Sequence, residues 1–348
     1  MDLPFRIQTD AGKEPVIAVD GFFGAPGLNL SHWPGHTTPA DLRHELSTGC
    51  ALAFARIAPD RKRELTAGCV AVVNNHIDTD GVCAAFAVLH PERALELEDE
   101  LLAAAEAGDF FRPRDERALQ VDLLVTAASD PERSPWAEEL RGLADEARTE
   151  VAYLRMFEVL PEWLTGDLEP WREFWEPGLD DYRADRADLA AATFEELVHF
   201  ELELHTATPG VVSSRPGATA FDPGRHALFT GSNADRVLVV GPRADGTTYR
   251  LIVNTTSWFD VPDREVLERP DLAVLRDRLN ALEAEAGSPT HAWHAQELTN
   301  AAPELWYGAA DIPSFAEHNA ALQASRLSPE VVRRETIEAL RAVWAFPG

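Results

Sequence analysis

Long apolar runs are missing from the chain. No apolar run approaches the ~18 residues a spanning helix needs, and no charged-then-apolar leader opens it. The expectation is a soluble cytoplasmic protein with no membrane partner. Cysteine is scarce, three in 348 residues, and Cys50, Cys69 and Cys83 fall in predicted helix or strand positions with no CxxC pair. That argues against a disulfide framework and a thiolate zinc site. Basic residues are outnumbered, 31 against 59 acidic ones, for a net charge of −28, and no cluster of five or more lysines and arginines occurs. An extended nucleic-acid footprint needs such clusters, so long nucleic acids are not expected as partners. A small anionic molecule, neutralised locally by metal ions and a few arginines, remains open. No GxGxxG follows a strand, no GxxxxGK precedes Ser or Thr, and no GxSxG elbow is present. Dinucleotide, P-loop and serine-hydrolase readings therefore fail.

What is there begins with 45% apolar residues, enough for real cores, in a length that suggests two domains. The richest segment is Val72-Val73-Asn74-Asn75-His76-Ile77-Asp78-Thr79-Asp80-Gly81. The apolar run from Cys69 to Val73 predicts a buried strand, and Val82 to Leu89 begins a helix. His76, Asp78 and Asp80 therefore sit on a strand-to-helix loop, at the carboxyl end of a strand, where open α/β sheets place ligands. Two carboxylates and an imidazole at alternate positions suit a divalent cation, Mn²⁺ first, with Mg²⁺ or another divalent ion also compatible. A helix cap alone would need one such residue, not three.

Other strands end in similar chemistry. Val16-Ile17-Ala18-Val19 runs into Asp20, and Leu28 to Ser31 runs into His32-Trp33-Pro34-Gly35-His36. Asp41 to Ile57, Ala94 to Ala107 and Arg117 to Ala128 predict helices, with Gly108-Asp109-Phe110 closing the second.

These residues resemble the DHH phosphoesterase superfamily with its motifs in permuted order. The loop His76-Ile77-Asp78-Thr79-Asp80-Gly81 is similar to the family's RecJ-type motif, and Val16 to Asp20 resembles its apolar strand ending in Asp. Ser31-His32-Trp33 occupies the place of the Asp-His-His motif with only the central histidine kept. Ser47-Thr48-Gly49-Cys50 resembles the Ser-Thr-Gly-Glu helix start, and Asp109-Phe110 the aspartate before an aromatic. The resemblance covers about a third of the chain and implies a two-metal site. His76, Asp78 and Asp20 would hold one ion, and Asp80, Asp20, His32 and Asp109 the other, with Asp20 bridging. Asp80 would also serve catalysis. Ser31 and Trp33 depart from the pattern, which puts ordinary phosphate chemistry in doubt; His36 is a candidate to replace the missing substrate-contacting histidine.

The remainder divides by composition. Ser134 to about His205 is rich in Glu, Asp, Arg, Leu and Trp at helical spacing, broken by Pro161, Pro170 and Pro177, and Ala184 to His205 predicts one long connecting helix. The C-terminal third predicts short strands at Val211-Val212, His226 to Phe229, Arg236 to Val240 and Thr248 to Asn254, with Arg243 to Gly246 as a hairpin turn, then a helix from Leu272 to Glu285. Arg236 and Arg250 lie on these strands, where either could reach an anion or simply be surface charge on a sheet face, and Arg236 joins the candidate catalytic residues.

The expected architecture is α/β: a parallel-sheet DHH-like metal-binding domain over residues 1–132, a helical connector over 133–205, and a smaller α+β accessory domain over 206–348. The expected activity is metal-dependent hydrolysis of a phosphate ester or anhydride in a small molecule. The alternatives are a biosynthetic metalloenzyme acting on a non-phosphate substrate, and a non-catalytic metal-binding protein. A homo-oligomer is compatible with the sequence.

Overall fold

Short apolar segments that read as buried strands do form a sheet. In the computed structural model, which describes residues 3–262, 268–287, 290–309 and 322–343, β1 (Phe5–Ile7), β2 (Val16–Val19), β3 (Gly27–Leu30) and β4 (Val72–Asn74) lie in the order β1-β4-β2-β3. Every pairing in this sheet is parallel. Parallel strands are covered on both faces, which is why β2 and the Val72-Val73 run of β4 are apolar without alternation, and both strands are wholly buried. The protein is of the mixed α/β class.

The covering helices are α1 (Ser47–Arg56), α2 (Pro59–Leu65), α3 (Thr79–Leu89), α4 (Pro91–Glu96), α5 (Glu98–Asp109), α6 (Glu116–Ser129), α7 (Ala137–Leu140) and α8 (Asp145–Thr165). The helix expected over Asp41–Ile57 is shorter. A single 3-10 turn at Ala40–Leu42 precedes extended, buried Leu46, and α1 starts only at Ser47, where Asp80 receives its first amides. The helix expected over Ala94–Ala107 is two, split at buried Leu97, and the acidic first turn of α5 faces its own amino-terminal dipole. Pro161 does not break its helix but sits inside α8, and Pro177 sits inside α9 (Arg172–Ala191). Trp136, Trp163 and Trp171 pack on one another, with Trp163 at 6.0 Å from Trp136 and 5.4 Å from Trp171.

The chain divides into two compact units, Met1–Leu179 with Phe259–Glu265, and Asp180–Trp258 with Val266–Gly348. The 133–205 connector is therefore corrected. Helices α7 and α8 belong to the first unit, where α8 packs on β1 and α6. The long helix expected over Ala184–His205 stops at Ala191. There Thr193-Phe194 starts β5 (Thr193–Leu197), and after Glu201, at φ 43°, comes β6 (Leu202–Thr206). Alternation of Leu202 and Leu204 carries more weight than the preceding helical spacing, because both side chains are buried in the second unit's core.

That unit continues with α10 (Arg225–Phe229), β7 (Arg236–Arg243), β8 (Gly246–Val253), α11 (Leu272–Ala286), β9 (Ala292–Ala295), β10 (Glu304–Gly308) and α12 (Pro329–Val343). Its six strands run β5-β6-β7-β8-β10-β9, antiparallel except for β6 beside β7. The β7–β8 hairpin turns at Arg243 to Gly246 as expected. His226–Phe229 is helix and not strand, and Val211 and Val212 lie outside any strand, half exposed. Leu272, Leu275 and Leu279 of α11 pack on Leu251 and Leu305 of the sheet. Among the described residues, no helix is long and apolar enough to cross a membrane.

Candidate metal centre

Three adjacent strands deliver the chemistry. In the order β4-β2-β3, the carboxyl ends lead to His76, Asp20 and His32 in turn. This is the edge of a parallel sheet where ligands gather. Asp20 follows β2 with φ 60°, a left-handed conformation uncommon for a residue with a side chain. Asp78 caps α3 by accepting from the Gly81 amide at 2.8 Å, and Asp80 lies in the first turn of that helix. Asp109 comes from the last turn of α5.

All six expected ligands are brought together. Ligand atoms of Asp20, His32, Asp80 and Asp109 lie within 4.8 Å of one another, and so do those of Asp20, His76 and Asp78. Asp20 is common to both groups. Its Oδ1 is 3.8 Å from His32 Nε2, and its Oδ2 is 3.0 Å from His76 Nε2. His32 Nε2 is also 3.6 Å from Asp80 Oδ2 and 3.0 Å from Asp109 Oδ2.

The two imidazoles are oriented alike. His32 Nδ1 lies 2.6 Å from the Glu45 carbonyl, and His76 Nδ1 lies 2.7 Å from Asn75 Oδ1. An oxygen accepts only from a protonated nitrogen, so in each neutral ring the lone pair sits on Nε2. Each Nε2 faces carboxylates: His76 Nε2 is also 2.7 Å from Asp78 Oδ2. His32 Nε2 and Asp20 Oδ2 are buried and make no hydrogen bond among the described residues. Lone pairs and anions converging in a buried space are the donor set of a hard or borderline divalent cation, so these residues fit such an ion.

The electrostatics agree. Burial and the Asp20 charge push Asp80 up to about 6, and burial with Asp80 and Asp78 raises Asp109 well above the carboxylate range. Burial opposes a charge on His76, but Asp78 and Asp20 outweigh it and raise its pKa well above the usual imidazole value. Burial also works against Asp20, and the imidazoles of His76 and His32 reverse it, leaving its pKa lowered. A proton on His76 and a bound cation are alternative answers to the same negative field.

The supporting residues were only partly legible. The amides of Ser47 and Thr48 donate to the two Asp80 oxygens at 2.7 and 2.8 Å, so the start of α1 serves as an anion site for a protein carboxylate. Phe259 stacks on His32 with centroids 3.7 Å apart and planes at 14°, and the Asp260 amide donates to the His32 carbonyl at 2.7 Å. Nothing local in the sequence signals that contact. Tyr153 of α8 donates to the His76 carbonyl at 2.9 Å.

Two residues expected to be catalytic, His36 and Arg236, are held by other partners. His36 Nε2 lies 2.7 Å from Asp260 Oδ2, and its Nδ1 accepts from the Thr38 amide, so it is committed to a loop contact. Arg236 is buried in the second unit, where its guanidinium donates to the carbonyls of Phe200 and Glu268. Those acceptors belong to the chain's own backbone, which corrects its reading as an anion-contacting residue.

A family model described as a family of unknown function, DUF6687, matches residues 2–347. The chain belongs to this family. No curated protein and no solved structure matches it. The match takes in both units, so the centre and the second sheet are parts of one family unit.

Proposed function

We propose that this member of DUF6687 is a metal-dependent hydrolase of the DHH type, acting on a phosphate ester or anhydride of a small molecule. One observation carries the reading: two imidazoles with their Nδ1 atoms tied to oxygens aim Nε2 at two carboxylate groups that share Asp20. His76, Asp78 and Asp20 would hold one cation, and Asp80, Asp20, His32 and Asp109 the other, with Mn²⁺ the first choice. Once bound, such a pair supplies positive charge that polarises a phosphoryl oxygen and acidifies a water. The protein's own part is orientation. The Ser47 and Thr48 amides fix both Asp80 oxygens, Glu45 and Asn75 fix the imidazole tautomers, and Phe259 shields His32 from water. Side chains of His76 and Asp78 are 29% and 37% exposed, so substrate would approach on their side.

A second reading, a cation that serves structure alone, is favoured by the burial of the other group, where the His32 and Asp80 side chains are 0% exposed. The two separate experimentally. Dialysis against Mn²⁺ followed by elemental analysis should show two equivalents bound, and a panel of nucleotides and phosphosugars should show Mn²⁺-dependent phosphate release. Two bound equivalents with no turnover of any phosphate compound would favour the structural reading or a non-phosphate substrate. No uptake of Mn²⁺, Mg²⁺ or a similar ion would sink the centre itself.

Charge decides the substrate size. A chain at −28 repels a polyanion unless one face is strongly basic. Titration with short and long single-stranded oligonucleotides at low salt, where electrostatic binding is strongest, should show no length-dependent affinity. Micromolar binding that tightens with length and weakens steeply with salt would move the reading to a nuclease.

A further inference from the structure

The residue shared by both ligand groups is the one whose backbone is strained. Asp20 stands at φ 60° immediately after β2, and Gly21 follows it. Strain of this kind persists only where the surroundings over-determine it. Here the surroundings are two buried asparagines. β2 lies between β3 and β4, with Asn29 of β3 and Val73 of β4 both opposite Ala18. Asn29 and Asn74 therefore flank the chain as it leaves β2. Asn74 Oδ1 accepts from the Gly21 amide at 3.3 Å, and Asn29 Nδ2 donates to the Gly21 carbonyl at 3.2 Å. One residue's backbone is gripped from both sides.

Each asparagine is itself held. Asn74 Oδ1 also accepts from the Asn75 amide at 2.8 Å, and its Nδ2 donates to Tyr153 Oη at 2.9 Å. Asn29 Oδ1 accepts from the Thr37 amide at 3.2 Å, and Ser31 Oγ donates to the Asp20 carbonyl. Asn74 is 0% and Asn29 4% exposed. An amide side chain in a sheet core costs free energy unless its hydrogen bonds are made, and each asparagine makes one of them to the residue after Asp20. A Cβ on Gly21 would sit 2.1 Å from Asn75 Oδ1, the atom that holds His76 Nδ1, so a side chain there would disturb that contact.

We infer that Asn29 and Asn74 are positioning residues: they clasp the Gly21 backbone and so hold Asp20 in the left-handed turn that divides its two oxygens between the two ligand groups. The clasp takes its purpose from the metal-centre reading and its existence from the hydrogen bonds around Gly21. Asn74 adds a second link, because Tyr153 joins it to the His76 carbonyl, so one asparagine sets Asp20 and His76 together.

The test uses full-length Asn74→Ala and Asn29→Ala proteins. Loaded with Mn²⁺ alone, the wild type should give the electron paramagnetic resonance spectrum of an exchange-coupled pair, because Asp20 would serve both ligand groups. Each variant should lose that coupling, or bind its second equivalent at least about tenfold more weakly, with unchanged circular dichroism. A merely stabilising role would lower the melting temperature and leave the coupling intact. In metal-free protein, the Gly21 amide of Asn74→Ala should exchange with solvent on the order of tenfold faster, the scale of one net hydrogen bond. Folded variants with wild-type coupling and wild-type Gly21 exchange would overturn the clasp. If the wild type takes up no Mn²⁺, the metal reading fails, and Gly21 exchange decides the clasp by itself. If Asn74→Ala does not fold, Asn29→Ala, which removes the bond to the Gly21 carbonyl, decides by the coupling and the second-equivalent affinity.

Discussion

Asp20→Asn is expected to strip the protein of both cations at once. Asp20 alone belongs to both ligand groups, through Oδ1 beside His32 and Oδ2 beside His76. Asparagine is nearly the same shape, tolerates the left-handed backbone at φ 60°, and can still accept from Ser47 Oγ, which lies 3.0 Å from Oδ1. The fold should therefore survive, with an unchanged circular dichroism spectrum. What disappears is the anionic charge and the second donor oxygen. Loss of an outer partner of a metal ligand costs about 10–100-fold in affinity, so loss of a shared ligand should cost at least ~100-fold at each group. Mn²⁺-dependent phosphate release should fall to background. Asp78→Asn is the contrast: it touches only the exposed group and should leave one equivalent bound in the buried one. An Asp20→Asn protein that still binds two equivalents with wild-type affinity would show that the carboxylate is not shared.

The candidate ligands were legible in the sequence because each follows a strand, starts a helix or closes one, where period and residue type change together. His76, Asp78 and Asp80 announce a loop between an apolar run and a helix, and Asp20 and His32 end apolar runs of their own. What was illegible comes from far along the chain. Phe259 lies more than two hundred residues after His32 in sequence and stacks on it all the same. Tyr153 sits in a stretch that reads only as an amphipathic helix, and its contact with the His76 carbonyl leaves no local mark. Asn29 and Asn74 look like interruptions of apolar strands, because the backbone they grip belongs to a third strand's exit. The same limit explains the misread connector. Ala184 to Ala191 is helical by composition, and β6 of the β5–β6 pair over Thr193 to Thr206 joins the rest of its sheet only through β7, further along the chain.

The arginines of the second sheet show how burial inverts a sequence reading, and they set the largest stability effect. Arg250 on β8, which by its sequence could have reached an anion or been surface charge, is 3% exposed and bonded to the protein's own carboxylates. It donates to Glu304 Oε2 and Oε1 at 2.8 and 2.7 Å and to Asp222 Oδ1 at 2.8 Å. Arg225 of α10 donates to the same Glu304 through Nε at 3.0 Å. Glu304 is 1% exposed and ties two guanidiniums together. A buried ion pair adds little over a well-packed apolar group, but removing one partner leaves charge in a low dielectric. Glu304→Gln keeps the shape and one acceptor while deleting the charge that two arginines share. The expected loss is ~3–5 kcal/mol in the unfolding free energy of the second unit, read by urea denaturation. Asp245→Asn is the reference, since its partner Arg243 and Asp245 itself are solvent-exposed on the hairpin, with side chains 32% and 63% accessible. An exposed pair is worth under about 1 kcal/mol, and the midpoint should barely move. A Glu304→Gln protein within ~1 kcal/mol of wild type would mean that Asp222 and nearby carbonyls already suffice for both guanidiniums.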